Sequence, residues 1–282
     1  MKKPPPLTDR DALHRFRARA LRFDLPAFFL QEEALFEINE RLNEVNRTFT
    51  NPAIVTPFPQ IWQNLLPSAK IVSDEDILAL ETQSFDLIIH AMSLHWANDP
   101  VGQMIQCNRA LKPDGLFLGV CFGGETLSEL RICLAEAEVA ISGGLSPRVA
   151  PMGEIRELGA LLQRAGFAMP VADTVTKTVT YENMLGLVTD LRAMGETNAL
   201  SQRRKIMAPR QLFTKASEIY TSTFGTEDGR IAATFDLLFL TGWAPDDSQP
   251  KPLRPGSASA RLADALKTSE TTLPDPAPKK LS

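Results

Sequence analysis

Along residues 26–49, the apolar Phe29, Leu30, Leu35, Ile38, Leu42 and Val45 recur three and four positions apart, the spacing of an amphipathic helix laid on a core. The pattern then shortens. Ala53-Ile54-Val55-Thr56 reads as a strand closed by Pro57 and Pro59, residues 61–66 as one or two helical turns, and Lys70-Ile71-Val72 as a second short strand. Residues 85–92, FDLIIHAM, are almost continuously apolar, as a strand buried on both faces of a parallel sheet must be. A helix over residues 99–111 follows, with Val101, Met104, Ile105 and Leu111 on one stripe and Asn98 or Asp99 as its cap. Lys112-Pro113-Asp114-Gly115 has turn chemistry, and residues 116–122 give another buried strand. Strand, helix, turn and strand make a right-handed βαβ unit, so the fold class is α/β.

Downstream, a helix over residues 125–141 ends at Gly143-Gly144, and one over 151–165 stops at Gly166. Residues 171–181 alternate Thr with Val, as a strand with one wet face does. Two helices are expected between Asn183 and Tyr220, and residues 230–243, RIAATFDLLFLTGW, make the last strand. The organisation read from these patterns is a basic arm over residues 1–25, one domain over 26–244, and a disordered tail over 245–282 rich in Pro, Ser, Asp and Lys. The arm concentrates Lys2, Lys3, Arg10, Arg15, Arg17, Arg19 and Arg22 on a helix opened by Thr8 or Asp9, and reads as a solvated face.

Composition narrows the function. A chain of 282 residues, 44% hydrophobic and 23% charged, is globular. Its net charge of −4 supplies no field for nucleic acid. No apolar run is long enough to span a bilayer, and the start MKKPPPLTDR lacks the apolar core of a signal peptide, so a cytoplasmic home is expected, or the mitochondrial matrix in a eukaryote. Cys107, Cys121 and Cys133 have no CxxC spacing, which argues for a reducing compartment and against structural zinc. With His14, His90 and His95 as its three histidines and no HExxH, GxSxG or phosphate-loop pattern, the chain lies outside the metallopeptidase and serine-hydrolase classes. Of sixteen glycines the first is Gly102, so no glycine loop precedes it.

Candidate chemistry gathers where strands end. The loop Ser93-Leu94-His95-Trp96-Ala97-Asn98-Asp99 brings a hydroxyl, an imidazole, an indole and a carboxylate to the end of a buried strand, where open α/β sheets bind ligands. Plugging of the sheet edge by Leu94 and Trp96, with Asp99 as a helix cap, is the alternative. Ser73-Asp74-Glu75-Asp76 has the spacing of a helix start, or offers a carboxylate to a ligand. His90 reads as a satisfied core histidine, and Gly123-Gly124-Glu125 as a turn or a small anion cradle.

Taken together, FDLIIHAMSLHWANDP, RALKPDGLF, FGGETLSELR, SGGLSPRVAP, LGALLQRAGFAMPVAD, DLRAMGETNAL and ATFDLLFLTGWAPDDSQPKPLRPGSA resemble the methyltransferase-like family that includes mitochondrial complex I assembly factor 5 and alphaproteobacterial relatives. That family is similar to the malonyl-carrier methyltransferases of biotin synthesis. The resemblance, over roughly residues 69–266, implies a Rossmann-like class I fold with a mostly parallel sheet, helices on both faces, and S-adenosyl-L-methionine as cofactor. It implies Asp74, Glu75, Ser93, Leu94 and Trp96 as cofactor-side residues, and His95 or Asp99 as the group that takes a proton. It also implies a respiratory complex I subunit as protein substrate or partner. Where family members carry a glycine-rich loop after the first strand, this chain has the shorter, glycine-free PAIVTPFPQIWQNLLPSAKIV. Two readings follow, a side-chain-modifying enzyme and a binding protein of the same fold that has lost the cofactor.

Overall fold

The apolar run FDLIIHA sits in the middle of a six-stranded sheet in this computed structural model, which describes residues 5–250. In chain order the elements are α1 (Arg10–Ala20), α2 (Phe29–Glu44), β1 (Pro52–Val55), α3 (Pro59–Trp62), β2 (Lys70–Val72), β3 (Phe85–Ala91) and α4 (Pro100–Ala110). They continue with β4 (Leu111–Gly123), α5 (Ser128–Ser142), α6 (Ile155–Arg164), β5 (Ala168–Tyr181), α7 (Met184–Ala193), α8 (Arg210–Phe224) and β6 (Ile231–Trp243). The chain divides into a compact unit ending at Asp246 and a second unit from Asp247. From residue 251 the expected tail lies outside the described residues, as do residues 1–4 of the expected arm.

The strand order is β2-β1-β3-β4-β6-β5, parallel from β2 to β4, with β6 antiparallel to both neighbours. The long apolar reads account for the centre: β3 is buried at every position but Asp86, and most of β4 and β6 is buried. The Thr/Val alternation of β5 fits its place at the edge, where alternate side chains face solvent. One apolar layer holds Ile54, Leu87, Ile89, Leu118 and Val120 against α2, α5, α7 and α8. The opposite layer holds Ile88, Phe117, Cys121 and Leu238 against α4 and α6, so helices cover both faces. All three thiols are buried and unbridged, and burial pushes that of Cys121 up to about 12 and that of Cys133 to about 11.

Three local readings change. The expected turn at residues 112–115 is absorbed into β4, which bends there with Asp114 at φ 58° while the β3–β4 register shifts between Phe85 and Leu87. Residues 124–127 turn before α5 begins at Ser128, and the expected anion cradle is already filled. The Glu125 amide donates to Asp236 Oδ2 at 2.8 Å, and Gly124, at φ 52°, sits where a Cβ would lie 2.4 Å from that carboxylate. Residues 73–76 form no helix; among the described residues Ser73 caps nothing, and the Asp74 carboxylate is held by Arg17.

Candidate functional site

The chain runs outward from β1 to β2, then returns to place β3 on the other side of β1. Connections therefore diverge between β1 and β3, and the crevice beyond their carboxyl ends is where a ligand of such a sheet sits. Side chains fill it from one flank. Thr56 Oγ1 accepts from the Phe58 amide at 3.1 Å, and Pro59 opens α3. Phe58 and Trp62 are fully buried, Phe58 against Phe28 with centroids 4.9 Å apart, and Trp62 Nε1 donates to Gln31 Oε1 at 2.9 Å.

From the other flank comes α1. The Asp9 side chain caps it, accepting from the Ala12 amide at 3.0 Å, while Arg203 holds the same carboxylate at 2.9 Å. Leu13 is buried against Trp96, Ala199 and Leu200, and Arg17 is 5% exposed. Asp74, just beyond β2, receives Arg17 Nη1 at 2.8 and 3.1 Å, and its backbone oxygen receives Arg10 Nη2 at 2.6 Å. Burial by itself would raise the Asp74 pKa, but the charges of Arg17 and Arg10 outweigh it and hold the carboxyl below its ordinary value. Glu75 is half exposed and faces Arg10 at 3.4 Å and His14 at 3.2 Å. The two acidic candidates are thus partners of α1.

The loop after β3 forms a 3-10 turn over Leu94–Trp96. Leu94 is buried in the core layer with Val55 and Ile88, and Ser93 is buried with its Oγ unpartnered. His95 Nε2 lies 3.2 Å from Glu196 Oε2, Trp96 Nε1 donates to the same oxygen at 2.7 Å, and the Phe122 amide approaches His95 Nδ1 at 3.4 Å. Asn98 Oδ1 accepts from the Thr8 amide at 2.8 Å, tying the start of α1 to this loop. Asp99 is exposed and caps α4 through the Gly102 amide at 2.7 Å, apart from the His95 cluster. His90 is fully buried. Gln103 gives its amide to Glu75 O, so its oxygen accepts from His90 Nε2–H at 2.9 Å and His90 Nδ1 is left as a bare, unpartnered acceptor.

Glu196 is placed by the end of α7. Asn183 caps that helix, accepting from the Leu185 and Gly186 amides, and Gly195 ends it at φ 84° with the Glu196 amide returned to Leu191 O at 2.9 Å. A Cβ on Gly195 would stand 3.1 Å from the Phe58 ring and 3.2 Å from Arg17 Cγ, so this turn closes directly over the crevice. Burial would raise the Glu196 pKa, but the His95 imidazole, then Arg17 and the Trp96 N–H, hold it below the ordinary value. Oε2 accepts both ring hydrogens, and among the described residues no hydrogen bond reaches Oε1.

Beside this carboxylate lies a cavity of about 240 Å³ walled by apolar side chains such as Phe122, Leu130, Leu191 and Phe235, with Trp96, Arg192, Glu196, Thr197 and Asn198 among its polar lining. Arg148, Val149 and Ala150 form part of the wall, and Glu138 pins their loop through Arg148 Nη2 at 2.6 Å and Ser146 Oγ at 2.7 Å. These bonds, Arg148 first, bring the Glu138 pKa from 4.5 to about 2. A carboxylate with a depressed folded-state pKa contributes stability that is present above 4.5 and lost as pH falls toward 2. Melting temperature should therefore fall steeply through that window, and Glu138→Gln should flatten the fall; an unchanged slope would contradict this role.

Glu196, Arg17, Arg148 and Glu138 were not singled out by the sequence. Glu196 and Arg148 lie in DLRAMGETNAL and SGGLSPRVAP, strings that carried the resemblance, but nothing in local spacing marks either residue.

The parallel βαβ core, the antiparallel β6 and the ligand crevice beyond β1 and β3 define the Rossmann-like class I methyltransferase fold, and residues 40–119 match the family model described as a methyltransferase domain. The chain is 41% identical over 202 residues to the Danio rerio protein named arginine-hydroxylase NDUFAF5, mitochondrial, covering 72% of this chain and 63% of that one. Its Dictyostelium discoideum namesake is 43% identical over 197 residues, covering 70% of this chain and 45% of that protein. A malonyl-[acyl-carrier protein] O-methyltransferase of Xylella fastidiosa is 32% identical over 184 residues, 65% of this chain and 59% of that enzyme. The chain belongs to the methyltransferase-like family of these relatives, and it spans 63% or less of the length of each of the three.

S-adenosyl-L-methionine is the cofactor such a domain implies, and the residues of this crevice do not fit it. A sulfonium nucleoside needs backbone amides at close approach beyond β1, where Phe58 and Trp62 are packed instead, and a free acid, where Asp74 already holds a guanidinium.

Proposed function

We propose that this chain serves in the assembly of respiratory complex I, seating a cationic side chain of a partner subunit in the cavity beside Glu196 so that it can be modified there. The observation that carries the reading is Glu196, a carboxylate held below its ordinary pKa that lines a largely apolar cavity and has one oxygen, Oε1, left over from its bonds to His95 and Trp96. A buried carboxylate accepts from a guanidinium or ammonium group with a charge-assisted bond, while the Phe and Leu walls cover the aliphatic stem. The relatives named arginine-hydroxylase support arginine as that side chain. In this reading His95 and Trp96 act on Glu196 by fixing its Oε2 and leaving Oε1 for a further partner. His95 thereby acts as a positioning residue for Glu196, and Asp99 as a helix cap. Among the described residues no helix is long and apolar enough to cross a membrane. We place the chain in the bacterial cytoplasm, or in the matrix if it is eukaryotic, where a nascent subunit is accessible.

Deleting the gene should leave complex I incomplete on native gels. The wild-type chain should restore it, and Glu196→Gln, which keeps the shape and removes the charge, should restore it at least ~10-fold less efficiently. Complete complex I in the deletion strain would overturn the proposal. The non-catalytic reading is favoured by the filled crevice; under it Glu196→Gln would still support assembly.

A further inference from the structure

The ligand crevice of this sheet is filled by the chain itself, and the filling is unevenly made. On α1 the docked face consists of Ala12, Leu13, Arg17 and Ala20, a thin apolar contact around one guanidinium. Arg17 spends its Nη1 on both oxygens of Asp74, while its Nε and Nη2 are buried without a partner. Arg10 Nε, Thr8 Oγ1, Ser93 Oγ and His90 Nδ1 are buried and unpartnered as well. Buried polar atoms without partners each carry a desolvation cost, and here they gather on α1 and on the strand end it covers, while the rest of the described molecule contributes Arg131 Nε and Tyr181 Oη.

We infer that α1 is an internal occupant of the crevice, with Arg17 seated on Asp74 as a tethered ligand. A nucleoside or other small molecule can then enter between β1 and β3 only when α1 leaves. The contacts that hold α1 are consistent with an element that docks as a unit. Its start is tied by the Thr8 amide to Asn98, by the Asp9 amide to Ala199 O at 2.8 Å and by Arg203 to Asp9, and its middle by Arg17 and Arg10. The segment from Glu196 to Asn198 that lines the assembly cavity also receives α1, through Arg19 to Thr197 Oγ1 at 2.9 Å. Displacing α1 would therefore also change the cavity wall at Thr197, but the inference itself concerns what occupies the crevice and does not require the function proposed above.

Hydrogen exchange of the full chain, read alongside calorimetric titration with S-adenosylmethionine and S-adenosylhomocysteine to millimolar concentration, tests this. The α1 amides should be protected in the free chain. Arg17→Ala should speed their exchange ~10-fold or more and by a clearly larger factor than that of β4 and β6, with Asp74→Asn as the second variant should Arg17→Ala fail to fold. No heat with α1 protected, or heat accompanied by loss of α1 protection, supports the inference. Binding with α1 still protected, an unprotected α1 in the free chain, or exchange unmoved by either variant overturns it.

Discussion

Asp74→Ala should lower the unfolding free energy by about 3–5 kcal/mol, because it leaves the buried Arg17 guanidinium without its hydrogen-bonded counter-charge. Both side chains are about 5% exposed, so water offers neither a substitute partner. For a domain of this size the loss corresponds to ~10 °C in melting temperature. The sign separates two accounts of this residue. An acid kept for an adenosyl ligand would leave the free chain's stability nearly untouched when removed and would weaken binding. Thermal melts of the free chain decide this: a change within about 0.5 kcal/mol would show that the Arg17 pair contributes nothing.

Trp62→Ala should cost a comparable amount, about 3–5 kcal/mol, by opening a cavity where a fully buried indole stood and by leaving Gln31 without its donor. The glycine-free segment after β1 is a packed part of the core, with Phe58 set between Phe28 and the Gly195 turn. Denaturant titration of this variant should give a lower midpoint with an unchanged slope. A midpoint equal to that of the wild type would mean that the segment is loosely held and that the crevice is open.

Much of this fold could be read along the chain, and the reasons are physical. β3, α4 and β4 announce themselves because burial on both faces, a helical stripe and an Asp99 cap are local patterns. The Thr/Val alternation marks the wet face of β5, and α7 falls where the first of two helices is expected after Asn183. Ser73-Asp74-Glu75-Asp76 misled because its cap spacing is equally local, whereas the partner that decides its conformation, Arg17, lies 57 residues away. The same separation hid α1: a helix with Arg10, Arg15, Arg17 and Arg19 has the composition of a solvated face, and only the fold brings a buried carboxylate to it. Of the candidate site, His95 and Trp96 stand out in the sequence from their place at a strand end. Glu196, which binds both, does not, because a single acid after a Met-Gly turn has no pattern of its own.

The central claim is that a cationic side chain of a complex I subunit enters the cavity against Glu196. Its most direct test places a photoreactive phenylalanine at Phe213, which borders that cavity, and identifies the crosslinked peptide in cells assembling complex I. The account predicts an adduct to an arginine- or lysine-bearing peptide of a complex I subunit, reduced ~10-fold or more when Glu196→Gln is combined with the probe. No adduct to any complex I subunit, or an adduct equally abundant with Glu196→Gln, would contradict it.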